Sequence, residues 1–204
     1  VRAEVHRDGG QYVQEYKIGV PQFKVKKVGS SDFHGTVVTF EPDPKIFSET
    51  NFNYQTILNH LRQQAYLVKK LRTRVMDLRS YEGKIDDSNI LYLDTLKLPV
   101  ESFTFYFEGG LMSLVRYLNQ REKPLHDKIF YVEKEAEGIV VESSLQYVEE
   151  IDIKEISFAN NIKTPDGGMH LTGFRTALTR TINDYARKNN IIKENEDNFT
   201  GDDV

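Results

Sequence analysis

The residues best suited to contact a charged partner are basic side chains on one long amphipathic segment. Apolar residues recur there at helical spacing and predict a helix over roughly 169–189: Leu171, Phe174, Leu178, Ile182 and Tyr185. At about 100° per residue, Arg175 falls about 70° from the centre of this stripe, at the edge of the buried face. Arg180 and Arg187 are predicted to point into solvent. Such guanidinium groups can bind phosphates, with an intramolecular salt bridge as the alternative for Arg175.

A second basic cluster lies on the first predicted helix, over roughly 54–70, and directly after it: Arg62, Lys69, Lys70, Arg72 and Arg74. It could also hold phosphates, although an ordinary solvated surface is the simpler interpretation.

Other site chemistries find little support in the sequence. The five His residues lack the spacing of a metal site, and the absence of Cys excludes disulfides and thiolate ligands. Gly167-Gly168 before a helix could bind an anion, but a tight turn is favoured. Carboxylate pairs such as Glu149-Glu150 resemble solvated turns rather than general acid and base pairs.

The elements that must position these residues alternate between strands and helices. Residues 1–47 are predicted to be β-rich, with a turn at Asp8-Gly9-Gly10 and a clear strand at 35–43. Three helices are predicted, over 54–70 (capped by Asn53), 109–119 and 169–189. Strands are predicted over 72–79 and 101–107, between the first two helices. Three more precede the last helix: 128–135, 139–148 and a strand that ends at about 162. Residues 80–100 are expected to form an inserted loop or hairpin, and the tail from Lys193 to be mobile. Consecutive strands predict an α+β fold with a mixed or antiparallel sheet and helices on one face.

Composition narrows the class of protein further. The 204 residues are 39% hydrophobic and carry a net charge of −4, which argues against disorder and against a global basic field. No run of 18 apolar residues predicts a membrane span, and no secretion signal is evident. The sequence does not begin with an initiator Met, and we expect it to have been cut from a longer chain.

Four blocks of sequence, in order, resemble the ATPase subunits of bacterial type IIA DNA topoisomerases, and DNA gyrase B above all. They are GTVVTFEPDPKIF at 35–47, FNYQTILNHLRQQAYLVKKL at 52–71, FYFEGGLMSLVRYLN at 105–119 and SFANNIKTPDGGMHLTGFRTALTRTIND at 157–184. The fourth block is long and specific, and together the blocks leave mainly residues 80–100 unmatched.

This resemblance implies a domain organisation. Residues 1–50 would be the last strands of a GHKL ATPase domain, and residues 51–204 a transducer domain similar to the second domain of ribosomal protein S5. The family's general base Glu, its magnesium-binding Asn and its glycine-rich lid would precede residue 1. The final transducer strand and the Gln-Thr-Lys loop, whose Lys reaches ATP, would follow residue 204. The fragment alone is therefore expected not to hydrolyse ATP and to hold neither ATP nor Mg²⁺, which the full enzyme uses.

The family's site residues carry over at four positions. Arg7, Thr36 and Val38 match residues of the pocket for ATP and for aminocoumarin inhibitors. Arg175, after Gly173-Phe174, matches an Arg that faces the hole for the transported DNA duplex, and Arg180 is placed on the same DNA-facing helix. No catalytic residue and no metal ligand is expected within the chain.

The implied function is ATP-driven strand passage and negative supercoiling of DNA in the bacterial cytoplasm, at the nucleoid. The implied partners are DNA, the A subunit of gyrase and a second copy of the B subunit, with no membrane. Two alternatives stay open: the B subunit of topoisomerase IV, and a non-catalytic S5-like module that binds nucleic acid or protein. The sequence departs from the family at Met169, where a Thr that could cap the helix is usual.

Overall fold

The computed structural model describes residues 1–85, 96–149 and 153–204, which divide into two compact units. Unit 1 comprises Val1–Gln63 and Arg72–Tyr106, and unit 2 comprises Gln64–Leu71 and Phe107–Val204. Within the described ranges, every pair of neighbouring strands is antiparallel, and three helices accompany the strands. The predicted α+β class is confirmed.

Unit 1 is built on a five-stranded antiparallel sheet. Its strands are β1 (Arg2–Arg7), β2 (Gly10–Lys17), β3 (Val20–Pro21), β4 (Lys26–Ser30) and β5 (Gly35–Thr39). β1 lies between β2 and β5, while β3 and β4 both pair with β2. Asp8 and Gly9 take positive φ angles of 50° and 71°, so the predicted turn between the first two strands is confirmed. β5 ends at Thr39, earlier than the predicted 35–43.

The rest of unit 1 holds a strand pair and the first ten residues of a helix, whose last four residues are assigned to unit 2. Helix α1 (Tyr54–Leu67) begins where predicted, because the backbone N–H of Thr56 donates to Asn53 Oδ1 over 2.9 Å. Strands β6 (Thr73–Met76) and β7 (Ser102–Phe105) pair with each other and are shorter than predicted. The loop predicted for residues 80–100 lies partly outside the described residues, since 86–95 are not described.

In unit 2, helix α2 (Leu111–Leu118) precedes the hairpin of β8 (Phe130–Ala136) and β9 (Ile139–Leu145). Glu137 and Gly138 close this hairpin with φ angles of 53° and 76°, which matches the predicted turn. The four apolar residues on one side of α2 are only half-buried: Leu111, Leu114, Val115 and Leu118.

The prediction of a single strand that runs to about residue 162 is wrong. The chain instead forms a tight hairpin of β10 (Phe158–Ala159) and β11 (Ile162–Lys163). Asn160 and Asn161 connect the two strands with φ angles of 48° and 64°. Asn tolerates the left-handed conformation better than most residues, so two adjacent Asn residues reverse the chain here.

Helix α3 (Met169–Lys188) is the longest helix of the described ranges and agrees closely with the predicted range. Its first turn has no side-chain cap, and the N–H of Thr172 donates to the carbonyl of Gly168 over 3.0 Å. The first turn therefore has no capping side chain, and Met169 stands where the resemblance implies a Thr. Tyr185 was predicted to be buried but is 63% exposed, because Asn183 and Ala186 occupy the buried face at this end of the helix.

Residues 198 and 199, within the segment from Lys193 that we predicted to be a mobile tail, hydrogen-bond to the helix. Ile192 is only 7% exposed, and both ends of the Asn183 amide engage residue 199. Arg187 was predicted to point into solvent, but it does not. Its guanidinium donates to Asn198 Oδ1 over 2.8 and 3.0 Å and to the carbonyls of Lys193 and Glu196. Across the described ranges, no helix combines the length and the apolar content that crossing a bilayer requires.

Candidate functional site

One face of the unit 1 sheet carries the three residues predicted to line a nucleotide pocket. Val5 pairs with Thr36 and Ala3 pairs with Val38, so these cross-strand partners share a face. Alternation along β1 places Arg7 on that face as well. Val38 is 60% exposed, and the side chain of Arg7 is 69% exposed beside Asp8 at 3.3 Å. The structure therefore brings the three residues together on an open face.

The opposite face of β1 buries a hydrogen-bonded polar cluster that sequence reasoning missed. The ring of His6 is bonded to Ser31 Oγ over 2.6 Å through Nδ1 and to Glu4 Oε1 over 2.9 Å through Nε2. Gln11 Nε2 donates to the same Glu4 oxygen over 2.8 Å, and Arg2 lies 3.2 Å from the other carboxylate oxygen. A strand alternation of charged and apolar residues would usually assign Glu4 and His6 to solvent.

The Glu4 carboxylate is stabilised in its ionised form despite this burial. Burial alone raises the pKa of Glu4, but the hydrogen bonds from His6 and Gln11, together with the charge of Arg2, outweigh it, and the net pKa is lowered. A carboxylate that is 8% exposed and fully bonded is a structural anchor for this end of the sheet.

In unit 2, the structure pairs Arg175 of α3 with Glu155. Arg175 Nε donates to one Glu155 oxygen over 3.0 Å, and a terminal nitrogen donates to the other oxygen over 2.5 Å. This bidentate pair raises the pKa of Arg175, chiefly through the hydrogen bonds. The Arg175 side chain is still 63% exposed, so the guanidinium remains open to solvent on its other side. The salt bridge considered from the sequence is thus present.

Glu155 was missed in the sequence because it lies 20 residues before its partner, outside any helical or strand spacing. Its neighbour Lys154 pairs with Glu122. Arg180 lies on the same helix as Arg175 and is exposed, as predicted. Helix α3 therefore presents two accessible guanidinium groups, one of them held in a fixed orientation.

Three residues of the second basic cluster make contacts within their own unit: Arg62, Lys69 and Arg72. In unit 2, Lys69 Nζ lies 3.0 Å from Glu133 Oε2 and 3.1 Å from Glu142 Oε1, and it also bonds the hydroxyl of Tyr131. In unit 1, the guanidinium groups of two Arg residues stack 5.3 Å from aromatic rings: Arg62 over Phe105, and Arg72 over Tyr106.

The Lys69 cluster neutralises its own charge. Its hydrogen bond with Tyr131, followed by those with Glu133 and Glu142, raises the pKa of Lys69. Burial and the hydrogen bond to Glu133 raise the pKa of Tyr131 to about 12. A lysine placed between two carboxylates has little affinity left for phosphate, so this cluster serves to attach the β8–β9 hairpin to the residues after α1.

Catalytic and metal chemistry find no assembled site in the part of the chain that the structure describes. No group of three or more His, Asp or Glu side chains lies together there in a way that could hold an ion. The candidate functional features of these residues are the open sheet face of unit 1 and the exposed guanidinium groups of α3.

Comparisons with known proteins show what the whole chain is similar to. The family model described as DNA gyrase B matches residues 110–204. The DNA gyrase B subunit of Halalkalibacterium halodurans is 40% identical over 100% of this chain and 29% of its own length. The corresponding protein of Bacillus mycoides is 39% identical over 98% of this chain and 45% of its own length.

A solved structure shares the fold. The crystal structure of the 43K ATPase domain of Thermus thermophilus gyrase B, in complex with an aminocoumarin, is 30% identical with a TM-score of 0.80. The match covers 98% of this chain and 50% of that one. This chain spans less than half the length of the two curated relatives. The chain is thus similar to DNA gyrase B proteins along its whole length, at about 40% identity, and it shares the fold of the Thermus thermophilus gyrase B ATPase domain.

Proposed function

We propose that this chain is the part of an ATP-dependent type II DNA topoisomerase that couples ATP binding and hydrolysis to DNA strand passage and negative supercoiling. Residues 1–50 would complete a GHKL ATPase domain, and residues 51–204 would form most of the transducer. The whole enzyme would use ATP and Mg²⁺ and act on DNA in the cytoplasm. Its partners would be the A subunit of gyrase and a second copy of the B subunit. The relationship to DNA gyrase B along the entire chain supports this proposal.

The observation that carries the proposal is the placement of Arg175. It lies within a 20-residue helix, so its backbone position is rigid, and its side chain is 63% exposed. A guanidinium offers five N–H donors in a planar fork, and Glu155 occupies only one edge of it. The remaining donors can reach a phosphate oxygen of a duplex, and the exposed Arg180 adds a second positive charge on the same helix.

The open face of unit 1 would contribute to the nucleotide pocket. Arg7, Thr36 and Val38 lie together on it, and its exposure is what a wall that faces a ligand requires. The Thermus thermophilus relative was crystallised with an aminocoumarin, which supports a pocket for ATP and such inhibitors in this family. The 204-residue chain alone would not turn over ATP.

The test is a set of point variants in the full-length protein, reconstituted with the partner subunit of the enzyme. We expect Arg175→Gln to reduce DNA-stimulated ATP hydrolysis and supercoiling, while ATP hydrolysis without DNA changes little. Lys188→Gln is the matched control, because it removes an exposed charge from the last turn of the same helix. Wild-type DNA stimulation in the Arg175→Gln enzyme would refute the assigned role.

The choice between gyrase and topoisomerase IV needs a separate assay. The Halalkalibacterium halodurans and Bacillus mycoides relatives are gyrase proteins, which favours supercoiling as the main activity. We expect the complete enzyme to introduce negative supercoils into relaxed plasmid in the presence of ATP. Efficient decatenation without supercoiling would assign the chain to topoisomerase IV instead.

A further inference from the structure

A positively charged edge lies on unit 1, formed by residues that have no role in the proposed function. Residues 16–29 contain four Lys and no acidic residue, in a chain whose net charge is −4. Three of these lysines, which we call the lysine edge, fall within four positions: Lys24, Lys26 and Lys27. All three are exposed.

Within the described ranges, the lysine edge has no internal counter-charge. None of its three ammonium groups forms an ion pair there. Lys26 makes a cation–π contact instead, with its Nζ 4.4 Å from the centroid of the Phe23 ring. The part of β2 opposite β4, from Gly10 to Val13, carries no charged residue either. The field of the three lysines is therefore directed to solvent, in contrast to that of Lys69.

The backbone around these lysines adds donors of its own. Among the described strands, β4 pairs with β2 alone, so its other side presents backbone N–H groups along a sheet edge. Val28 is an extra residue in the register, because Gln11 pairs with Gly29 and Tyr12 with Lys27. Such a bulge bends and twists an edge strand. Lysines and free backbone N–H groups are both common donors to phosphate oxygens.

From these contacts we infer that the lysine edge is a second, sequence-independent binding surface for the phosphate backbone of duplex DNA. This inference rests on the proposed function, because it assumes that the enzyme acts on DNA. The three residue steps from Lys24 to Lys27 span about 10 Å in an extended chain, at about 3.3 Å per residue. A duplex carries one charge per about 1.7 Å of its axis, so three ammonium groups over this span can each meet a phosphate.

Two other roles for the lysines make different predictions. Lysines on an edge strand also prevent strands of two molecules from pairing. A glutamate at the same position blocks that pairing equally well, so charge reversal leaves this role intact. Recognition of an anionic membrane surface usually needs about four to eight clustered basic residues or a lipid anchor, and the lysine edge has three.

The experiment compares how two variants of the 204-residue chain bind a fluorescent duplex of about 20 base pairs. Binding is measured by fluorescence anisotropy between about 50 and 200 mM KCl, where phosphate contacts dominate the salt dependence. The first variant replaces the lysine edge by Lys24→Glu, Lys26→Glu and Lys27→Glu. The control makes the same change in net charge at three other exposed lysines that form no ion pair in the described ranges: Lys45→Glu, Lys134→Glu and Lys163→Glu. Both variants should remain folded and monomeric by circular dichroism and size-exclusion chromatography.

Three phosphate contacts contribute about 2.7 to the slope of log K against log [KCl], at about 0.9 per contact. Over a fourfold rise in salt, wild type and the control should therefore lose about fortyfold more affinity than the lysine-edge variant. At the lowest salt concentration the lysine-edge variant should bind far more weakly than the control.

Three results would overturn the inference. The first is an equal salt slope and affinity in the two variants, and the second is no binding of the duplex by the wild-type chain at the lowest salt concentration. The third is lysine-dependent binding to phosphatidylserine vesicles but not to DNA. None of these results bears on Arg175, whose role is measured by ATP hydrolysis in the complete enzyme, so the two proposals fail separately.

Discussion

Replacing Asn183 by Ala should release the residues that follow α3 while leaving the helix itself formed. The Asn183 side chain is buried and bonds residue 199 twice: Nδ2 donates to the carbonyl of Phe199 over 2.9 Å, and the Phe199 N–H donates to Oδ1 over 2.8 Å. Nδ2 also donates to the carbonyl of Thr179 over 3.0 Å, one turn earlier in α3.

The expected loss follows from these contacts. Each hydrogen bond contributes about 1 kcal/mol net, and unsatisfied partners cost more when water cannot reach them. Phe199 is 38% exposed, so water can replace the lost partners there and the lower value applies. The two bonds to residue 199 then account for about 2 kcal/mol of local stability. Ala has a higher helix propensity than Asn, by up to about 0.7 kcal/mol, which partly offsets the loss in global unfolding.

The direct assay is hydrogen exchange of the Phe199 amide under native conditions, followed by NMR. A local loss of about 2 kcal/mol corresponds to an exchange rate about thirtyfold faster than in wild type. Asn59→Ala is the control, because Asn59 is exposed in α1 and its substitution changes helix propensity without removing a buried bond. An unchanged Phe199 exchange rate in Asn183→Ala would show that the side chain does not hold this segment.

Two further predictions concern a carboxylate and a turn. Hydrogen bonds from Arg79 hold the pKa of Asp77 at about 2, below the unfolded value of about 3.9, so this pair stabilises the fold above about pH 4 and the contribution is lost as the pH falls through about 2. Titration of the Asp77 carboxyl carbon by NMR checks the value, and Arg79→Gln should raise the midpoint towards about 4. Asn161→Val should destabilise the chain by about 1–2 kcal/mol in urea unfolding, because a β-branched residue is strained at a φ of 64°, whereas Asn161→Gly should not. Equal destabilisation by Val and Gly would instead implicate the Asn side chain.

The local elements could be predicted from the sequence where one signal dominated. Asn53 fixed the start of α1, and the spacing of apolar residues fixed both ends of α3 within a residue or so. The hairpin at 158–163 was missed, because the preference of Asn160 and Asn161 for the left-handed conformation was not weighed against the apolar run around them.

Burial and pairing were harder to predict than the elements. The helical stripe predicted Tyr185 inside and Arg187 outside, but the segment after the helix folds back and takes the bonds of Arg187 instead. The hydrogen bonds between Glu155 and Arg175 and between His6 and Ser31 link residues 20 and 25 positions apart, and no local pattern marks such pairs. Family resemblance, rather than spacing, singled out Arg7, Thr36 and Val38, and the strand register then placed them on one face.

The bidentate pair between Glu155 and Arg175 also affects when the Arg175 side chain loses its conformational entropy. A free arginine on a surface samples many rotamers, and a ligand must restrict them on binding. Here Glu155 already fixes the guanidinium plane, so that loss of entropy occurs when the chain folds. A duplex that meets Arg175 would find a preorganised group and would have only to share it with a carboxylate, or to displace that carboxylate. Contacts of this kind suit a DNA segment that is held briefly and then passed on.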